Sequence, residues 1–443
     1  MKLTLLTRFS LAFSLCFTLL LNGCGSSYYS NGTSVSMGVV ADQISDLESK
    51  TVHRSFSLSN GESLRIRNLA GTIDIVPGDP GVGDSVVVDA VVFAKGRDAA
   101  ATRTLLDDMV WTQSTDRKGR PEWTLDYPVD RHSTLHYSQD GPGFKATTTH
   151  LGSHKISITT KKNSSTPTLF ANLTITMPPG VDLSVRSLAG GVLGTTLAGE
   201  LNVDTVVGGI EIESFTGTLT LDTGSGEITA GAVDGKYVFD TGSGDIHAGE
   251  LTGKGVLDTG SGDIFVDDAT GESLRADTGS GDIRIGRTKV RSLDAGTGSG
   301  NVSIRNATGQ KLRADTGSGS IEVDDGQVDS VVADTGSGNI RIRGLEFIDF
   351  RGDTGSGNIS IESSLADAES IIADTGSGSI TIHAGPDASF RISADQGSGM
   401  LRVKYEDAKL RYDGRVLVGA TRGEGQTRIV ADTGSGNCVI GPG

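Results

Sequence analysis

The sequence has few prolines, few aromatic residues and only three cysteines. Ten prolines among 443 residues exclude a proline-rich disordered chain, and the 63 glycines follow no Gly-X-Y period of the collagen type. Aromatic residues make up 5% of the chain, which is little for a large globular core. Solenoids, by contrast, build their cores from stacked small and β-branched residues. The composition therefore favours a folded repeat protein.

Positive charge is also scarce. The chain has 39 Lys and Arg against 55 Asp and Glu, a formal net charge of −16. Contacts with the phosphates of nucleic acid need a basic surface, so we expect no nucleic-acid partner.

A long apolar run occurs only at the N-terminus. Lys2 and Arg8 lead into the apolar stretch 9–21, which is too short to span a bilayer and has the build of a secretory signal peptide. The next residues, 21–24, read Leu-Asn-Gly-Cys and resemble the lipobox of bacterial lipoproteins, in which the cysteine is acylated. Cys24 is therefore the predicted lipidation site.

The cysteine count agrees with this prediction. Cys16 would leave with the signal peptide and Cys438 would remain alone, so no intramolecular disulfide is expected. The lipobox resemblance implies attachment to a membrane through the lipid, and Gly25 permits sorting to the outer membrane, on its periplasmic or its outer side. The alternative is an ordinary signal peptide cut near Gly23.

The motif Thr-Gly-Ser-Gly dominates the second half of the chain. Its period is 18 or 19 residues, with two later gaps of 21, and such a repeat holds two short strands and two turns, one coil of a β-solenoid. The last gap is 37 residues, which predicts two coils with a degenerate copy at 419–425. The copies start at Thr223, Thr241, Thr259, Thr278, Thr297, Thr316, Thr335, Thr354, Thr375 and Thr433, with a variant at Gln396.

Alternation after each motif predicts which side chains face the core. The residue next but one after each Gly-Ser-Gly is apolar, the residue two further on is small or β-branched, and the residue between them is mostly polar. Exposed aromatics are isolated ones such as Phe265. The predicted inward column is Ile228, Ile246, Ile264, Ile283, Val302, Ile321, Ile340, Ile359, Ile380, Leu401 and Cys438, which makes Cys438 a buried hydrophobe.

Degenerate copies of the coil occur upstream at 64–75, 183–192 and 206–212. Between the first two, residues 98–109 have helical spacing, and 123–175 alternates as antiparallel strands around a turn at 140–143. We predict an all-β fold, a parallel, right-handed β-helix of 18–21-residue coils with a small inserted α+β region. The predicted divisions are a signal peptide at 1–23, a flexible tether at 24–54, a β-rich region with one helix at 55–182 and the solenoid at 183–443.

These patterns resemble a known family. The repeated Thr-Gly-Ser-Gly-Asp-Ile, the segment 173–185 and the closing segment 423–436 are similar to the bacterial "putative-adhesin" β-strand-repeat family of unknown function, here in a lipoprotein form. The resemblance covers residues 55–443. It implies an envelope-associated β-helix and no particular chemistry.

An aspartate precedes nearly every turn and predicts a ladder of carboxylates about 4.8 Å apart. Calcium between coils would offset their repulsion, and so would hydrogen bonds that Asp side chains accept from, and Thr side chains exchange with, the turn backbone. The next acidic column becomes neutral after Asp282, which leaves a hard cation one anion per coil and favours the structural turn ladder. The ladder is Asp222, Asp240, Asp258, Asp277, Asp315, Asp334, Asp353, Asp374, Asp395 and Asp432.

Three other kinds of site are less favoured. The uniform turns offer no cluster of unlike acidic and basic residues for general acid/base catalysis. Each motif threonine is followed directly by the glycine of a turn and does not belong to a flat Thr-x-Thr strand face, so ice or polysaccharide binding is less favoured than ladder hydrogen bonds. Across a turn at Gly143, two pairs of histidines would face one another: His132 with His154, and His136 with His150. The apolar residues before this turn are odd-numbered and those after it are even-numbered, so in that register they could not be buried together. A solvated polar hairpin is therefore favoured over a metal site.

The sequence thus predicts a lipid-anchored envelope β-solenoid that acts as an adhesin-like binding or scaffold protein, without cofactor, metal or catalysis. Expected partners are the membrane, through the anchor, and a glycan or another envelope protein. The alternatives are a structural spacer or an envelope-stress-sensing partner and, behind both, a carbohydrate-active β-helix enzyme. The ligand and the oligomeric state stay open.

Overall fold

The computed structural model describes residues 47–58, 63–79, 85–115, 120–138, 145–151, 154–395 and 397–443. Strands make up 70% and helix 3%, and the chain forms a parallel β-solenoid of about 13 turns of about 19 residues. The predicted all-β solenoid class is confirmed. The predicted signal peptide at 1–23 and the predicted lipidation site Cys24 lie outside the described residues.

Up to residue 207, the described residues form twelve strands and one helix. They are β1 (Glu48–Ser57), β2 (Ser63–Ala70), β3 (Ile73–Pro77), β4 (Ser85–Lys95), α1 (Ala99–Asp108), β5 (Val110–Thr115), β6 (Pro121–Asp126), β7 (Thr134–His136), β8 (Ala146–Leu151), β9 (His154–Thr159), β10 (Thr168–Met177), β11 (Val181–Ala189) and β12 (Val192–Val207).

The first coil precedes the inserted region. β2 pairs in parallel with β11, and β3 pairs in parallel with β12, as the degenerate copies predicted. The inserted strand β10 continues this sheet by pairing in parallel with β3 and antiparallel with β4. The solenoid therefore starts at β2. The predicted boundary at residue 183 falls within the solenoid and does not mark its beginning.

The strand β1 and the helix α1 flank this insertion. β1 pairs antiparallel with β4 and buries Phe56, whose ring centroid lies 4.9 Å from that of Trp123. The predicted tether to residue 54 therefore ends too late, because residues 48–54 belong to a sheet. The helix is confirmed: Asp98 Oδ1 accepts a hydrogen bond from the Ala101 N–H at 2.7 Å and caps it.

The predicted hairpin around Gly143 is wrong. β8 and β9 are antiparallel with Ala146 opposite Thr159, and β7 pairs in parallel with β9. This arrangement buries Leu135, Ile156 and Ile158, and burial of apolar side chains decides strand register.

In the regular middle of the solenoid, each coil is one bent strand followed by the Gly-Ser-Gly turn. These strands are β13 (Ile210–Thr223), β14 (Ile228–Thr241), β15 (Ile246–Thr259), β16 (Ile264–Thr278), β17 (Ile283–Thr297), β18 (Val302–Thr316), β19 (Ile321–Thr335) and β20 (Ile340–Thr354). Neighbours pair in parallel, with Ile321 opposite Ile340 in the next coil. The predicted inward column is buried throughout, which confirms the alternation.

The second predicted turn of each coil is a bend within the strand. In the shorter coils a glycine forms it, and Gly235 there has a φ of +137°. A Cβ at Gly235 would lie 2.0 Å from the carbonyl oxygen of Gly217 in the coil before, so the bend requires glycine. The register shifts after Gly253, where Glu272 is the additional residue, and from here the coils are one residue longer.

The C-terminal coils do not stack in sequence order. Their strands are β21 (Ile359–Ser363), β22 (Ser370–Thr375), β23 (Ile380–Ala384), β24 (Phe390–Asp395), β25 (Leu401–Val403), β26 (Lys409–Asp413), β27 (Val416–Arg422), β28 (Thr427–Thr433) and β29 (Cys438–Pro442). β28 lies between β22 and β24, and β29 lies between β23 and β25. The chain thus makes its outermost coil first and then returns to insert its last coil beneath it.

The segment 419–425 is not a degenerate coil. β26 and β27 form an antiparallel hairpin, and β27 pairs antiparallel with β24 at the edge of the outermost coil. The 37-residue gap therefore contains a capping hairpin where the spacing predicted a second coil.

Candidate binding surface

The turns are held by the buried motif threonines. Thr316 Oγ1 donates a hydrogen bond to the Gly300 carbonyl of the preceding coil at 2.8 Å and accepts one from the Gly319 N–H of its own turn at 3.1 Å. The same two bonds recur from coil to coil at Thr223, Thr241, Thr259, Thr278, Thr297, Thr335, Thr354, Thr375 and Thr433. The prediction of ladder hydrogen bonds at these threonines is confirmed.

A second ladder runs through the residue before each isoleucine. Asp245 Oδ1 accepts a hydrogen bond from the Asp263 N–H at 2.8 Å, and Asn339 Oδ1 accepts one from the Asn358 N–H at the same distance. The acceptor is a carboxylate in the early coils and an amide or hydroxyl oxygen in the later ones. A neutral side chain can therefore replace the acid without loss of the bond.

The predicted aspartate ladder is in register, but its role needs a correction. Asp222, Asp240 and Asp258 lie opposite one another and are exposed. Among the described residues, this column makes one hydrogen bond to a turn N–H, a 3.5 Å contact between Asp395 Oδ1 and Gly397 N. The side chains point away from the turn because each aspartate lies between two inward-facing residues.

The aspartates interact with one another and with nearby arginines. Partial burial of the carboxyl group, and after it the charge of the neighbouring aspartates, raises the pKa of Asp258 and Asp334 above its ordinary value. Asp222 and Asp374 show the same shift for the same reasons. Arg313 Nη2 donates to Asp315 Oδ2 at 2.7 Å. The column is thus a charged surface whose repulsion is partly relieved by arginines.

The column is interrupted once, at Gly296. The gap forms a shallow cavity of about 310 Å³, here called the Gly296 notch, lined chiefly by Arg275, Asp277, Asp294, Arg313 and Asp315. Guanidinium donors and carboxylate acceptors lie side by side in it, which suits a neutral polar or zwitterionic ligand. The notch was not predicted from the sequence, although the glycine that replaces aspartate at position 296 is a signal for it.

A stack of planar side chains lies on another outward column. The His247 and Phe265 rings are parallel within 5° with centroids 4.6 Å apart, and the Arg284 guanidinium lies 5.1 Å from the Phe265 centroid. Arg284 also contacts Asp263 and Asp282. Phe265 is therefore not isolated, and because both its faces are covered, it offers only its edge to a ligand.

A groove of about 470 Å³ lies at a corner of the early coils. Gly231 and Gly249 contribute to its lining together with Glu213, Glu250 and Asp267, so the groove is acidic. It would favour a cationic group over an anionic one.

The four predicted histidines are not brought together. His136 is buried with its Nδ1 3.1 Å from Thr168 Oγ1, and burial lowers its pKa. His150 and His154 are exposed on β8 and β9. Within the described ranges there is no group of three or more His, Cys, Asp or Glu residues arranged to hold a metal ion.

The remaining described cysteine, Cys438, lies in the inward column. It is fully buried, and burial raises the pKa of its thiol to about 12. This confirms its assignment as a small buried hydrophobe. In the part of the chain that the structure describes, no helix is long and apolar enough to cross a bilayer.

The fold and surface define a parallel β-solenoid repeat protein whose turns are closed by threonine. The Toastrack DUF4097 family matches residues 129–302 and 272–440, so the chain belongs to this family. The resemblance carried by the repeats is confirmed. No curated protein matches the chain. Among solved structures, a putative cell adhesion protein from Clostridium sporogenes ATCC 15579 is similar at 8% identity, over 88% of this chain and 99% of that one, with a TM-score of 0.13.

Proposed function

We propose that this protein is a lipid-anchored β-solenoid of the cell envelope that acts as an adhesin-like binding or scaffold protein and not as an enzyme. The supporting observation is that the side chains that close the turns differ from those that form most of the outer surface. Buried threonines and the second ladder close the turns, so the other outward columns, among them the aspartate column, are not needed for turn closure and can bind a ligand. About 13 turns spaced about 4.8 Å apart would give that surface a length of roughly 60 Å.

The Gly296 notch is a part of this surface whose chemistry suits a polar ligand. Its two arginines can donate to hydroxyl or carboxylate oxygens, and its aspartates can accept from hydroxyl or amine groups. A glycan or a polar segment of another envelope protein has this chemistry. The lipid on Cys24 would hold the solenoid at the outer membrane.

The anchor is tested by replacing Cys24 with Ala and fractionating cells. We expect Cys24→Ala to leave the membrane fraction, while Cys438→Ala, which removes a buried thiol, stays in it. Unchanged membrane association of Cys24→Ala would refute lipid attachment at this residue.

The binding surface is tested by Gly296→Asp, which restores the carboxylate present in most other coils. Its Cβ would meet a flexible atom, Asp277 Oδ1, at 2.6 Å, so the coil should tolerate the change. We expect the wild-type chain, but not this variant, to retain an envelope glycan or protein in affinity capture. Equal retention would place binding elsewhere, absence of any retained ligand would favour a structural spacer or stress-sensing partner, and turnover of a polysaccharide would favour the enzyme alternative.

A further inference from the structure

The hairpin at the C-terminal end of the solenoid exposes an unusual strand. All five residues of β26 are exposed, and this strand pairs only with β27 in the part of the chain that the structure describes. Its side chains include Leu410, 44% exposed, and Tyr412, 57% exposed. An edge strand presents unpaired backbone N–H and C=O groups, and exposed apolar residues on such an edge are typical of a docking site for another strand.

The sequence of β26 is complementary to itself. It reads Lys-Leu-Arg-Tyr-Asp, so its charged ends have opposite sign and its two apolar residues flank the centre. If two copies pair antiparallel with Arg411 opposite Arg411, Lys409 lies opposite Asp413 and Leu410 opposite Tyr412, each twice. Opposite charges and aromatic–aliphatic pairs directly across an antiparallel ladder are both favourable.

Other registers are less suitable. A shift by one residue would place the apolar residues of one copy opposite the charged residues of the other, because side chains alternate between faces. A shift by two would leave strand residues unpaired at the ends. The central Arg411 leans over its own hairpin, where its Nη2 lies 3.3 Å from Ser393 Oγ and 3.4 Å from the Val418 carbonyl oxygen, which draws the two guanidinium groups away from the seam.

We propose that β26 pairs antiparallel with β26 of a second copy of this chain, joining two solenoids at their C-terminal ends. The two-fold symmetry makes the contact closed, so a dimer and not a filament forms. Two five-residue strands bury little surface, so the dimer is weak and depends on concentration. If the N-terminal lipid anchor proposed above exists, the joined pair would carry an anchor at each far end and could link two membrane surfaces. The pairing itself does not depend on the anchor.

The test uses charge reversal at the two ends of the strand. Lys409→Asp makes both ends acidic and Asp413→Lys makes both ends basic, so each variant alone should dimerise at least tenfold more weakly than the wild type. An equimolar mixture of the two variants should dimerise again, and so should the double variant with both changes. The measurement is the mass of the full chain in mild detergent, by light scattering over a range of concentrations.

Charge reversals elsewhere serve as controls. Lys311→Asp and Asp329→Lys change exposed residues of the solenoid side and should leave the dimer unchanged. A wild-type chain that stays monomeric at the highest concentration reached overturns the proposal. So does a dimer that is insensitive to the two hairpin variants, or one that their mixture fails to restore. Loss of the anchor in Cys24→Ala would not affect these results, so the two proposals can fail separately.

Discussion

Thr316 illustrates at the scale of one residue how neighbouring coils are held together. Its buried hydroxyl bonds a carbonyl of the coil before and an N–H of its own turn. We expect Thr316→Val, which keeps the shape and removes both bonds, to cost about 1–3 kcal/mol because two buried backbone groups lose their partner. The measurement is the free energy of unfolding in urea.

Thr308→Val is the matched control, since Thr308 is exposed on the strand of the same coil. It should change stability by about 0.5 kcal/mol or less. Similar losses at both positions would mean that β-propensity and not the turn bonds explains the effect.

The different roles of Asp315 and Thr316 could have been predicted from the alternation of inward-facing and outward-facing side chains along the strand. Ala314 and Thr316 face inward, so Asp315 between them must face outward and cannot close the turn. Aspartate and threonine are both common turn residues, and this shared preference hides the difference between their roles. The Gly296 notch was missed for a related reason: a glycine in a glycine-rich repeat stands out only against the column of residues that stack on it.

At the scale of the elements, the repeats predicted which segments form coils but not the order in which they stack. Every coil presents the same inward columns and the same turn to its neighbours, so the edge of β22 can accept β28 as readily as β24. Pairing preference cannot distinguish between such equivalent partners. The capping hairpin could not be predicted from the sequence either, because two coils, or one coil and an insertion, would both account for the 37-residue gap between the last two motif copies.

The inserted coil leads to a prediction about which strands open together. Ile429 in β28 and Ile392 in β24 are both fully buried. Ile429→Asp should expose β24 and β25 to hydrogen exchange along with its own coil, because it disrupts the coil that attaches them to β22 and β23. Ile392→Asp should expose the outermost coil and the hairpin but leave β28 and β29 protected, since these still pair with the coil below.

The opposite pattern would refute the stacking order. If the coils stacked in sequence order, Ile392→Asp would open both last coils and Ile429→Asp would open only its own. Hydrogen exchange by mass spectrometry, resolved to segments 371–384, 390–403 and 427–442, distinguishes these outcomes.

At the scale of the whole molecule, the excess of acid raises the question of whether the solenoid requires a cation. The net charge is −16, and the aspartate column runs along the coils with its carboxylates facing one another. In a calcium-dependent roll the ion would complete the turns. Here threonine hydroxyls and side-chain oxygens of the second ladder bond the turn backbone directly, and the ladder continues where its residues are neutral.

We therefore expect the melting temperature of the full chain to differ little between excess chelator and millimolar calcium. Magnesium at the same concentration is the control, because it screens the aspartate column equally but prefers a smaller, rigid octahedral site. A small rise that is the same for both ions would reflect screening of the repelling carboxylates. A rise of tens of degrees with calcium alone would mean that the ion bridges consecutive coils, and the turn hydrogen bonds would then be insufficient to hold the solenoid.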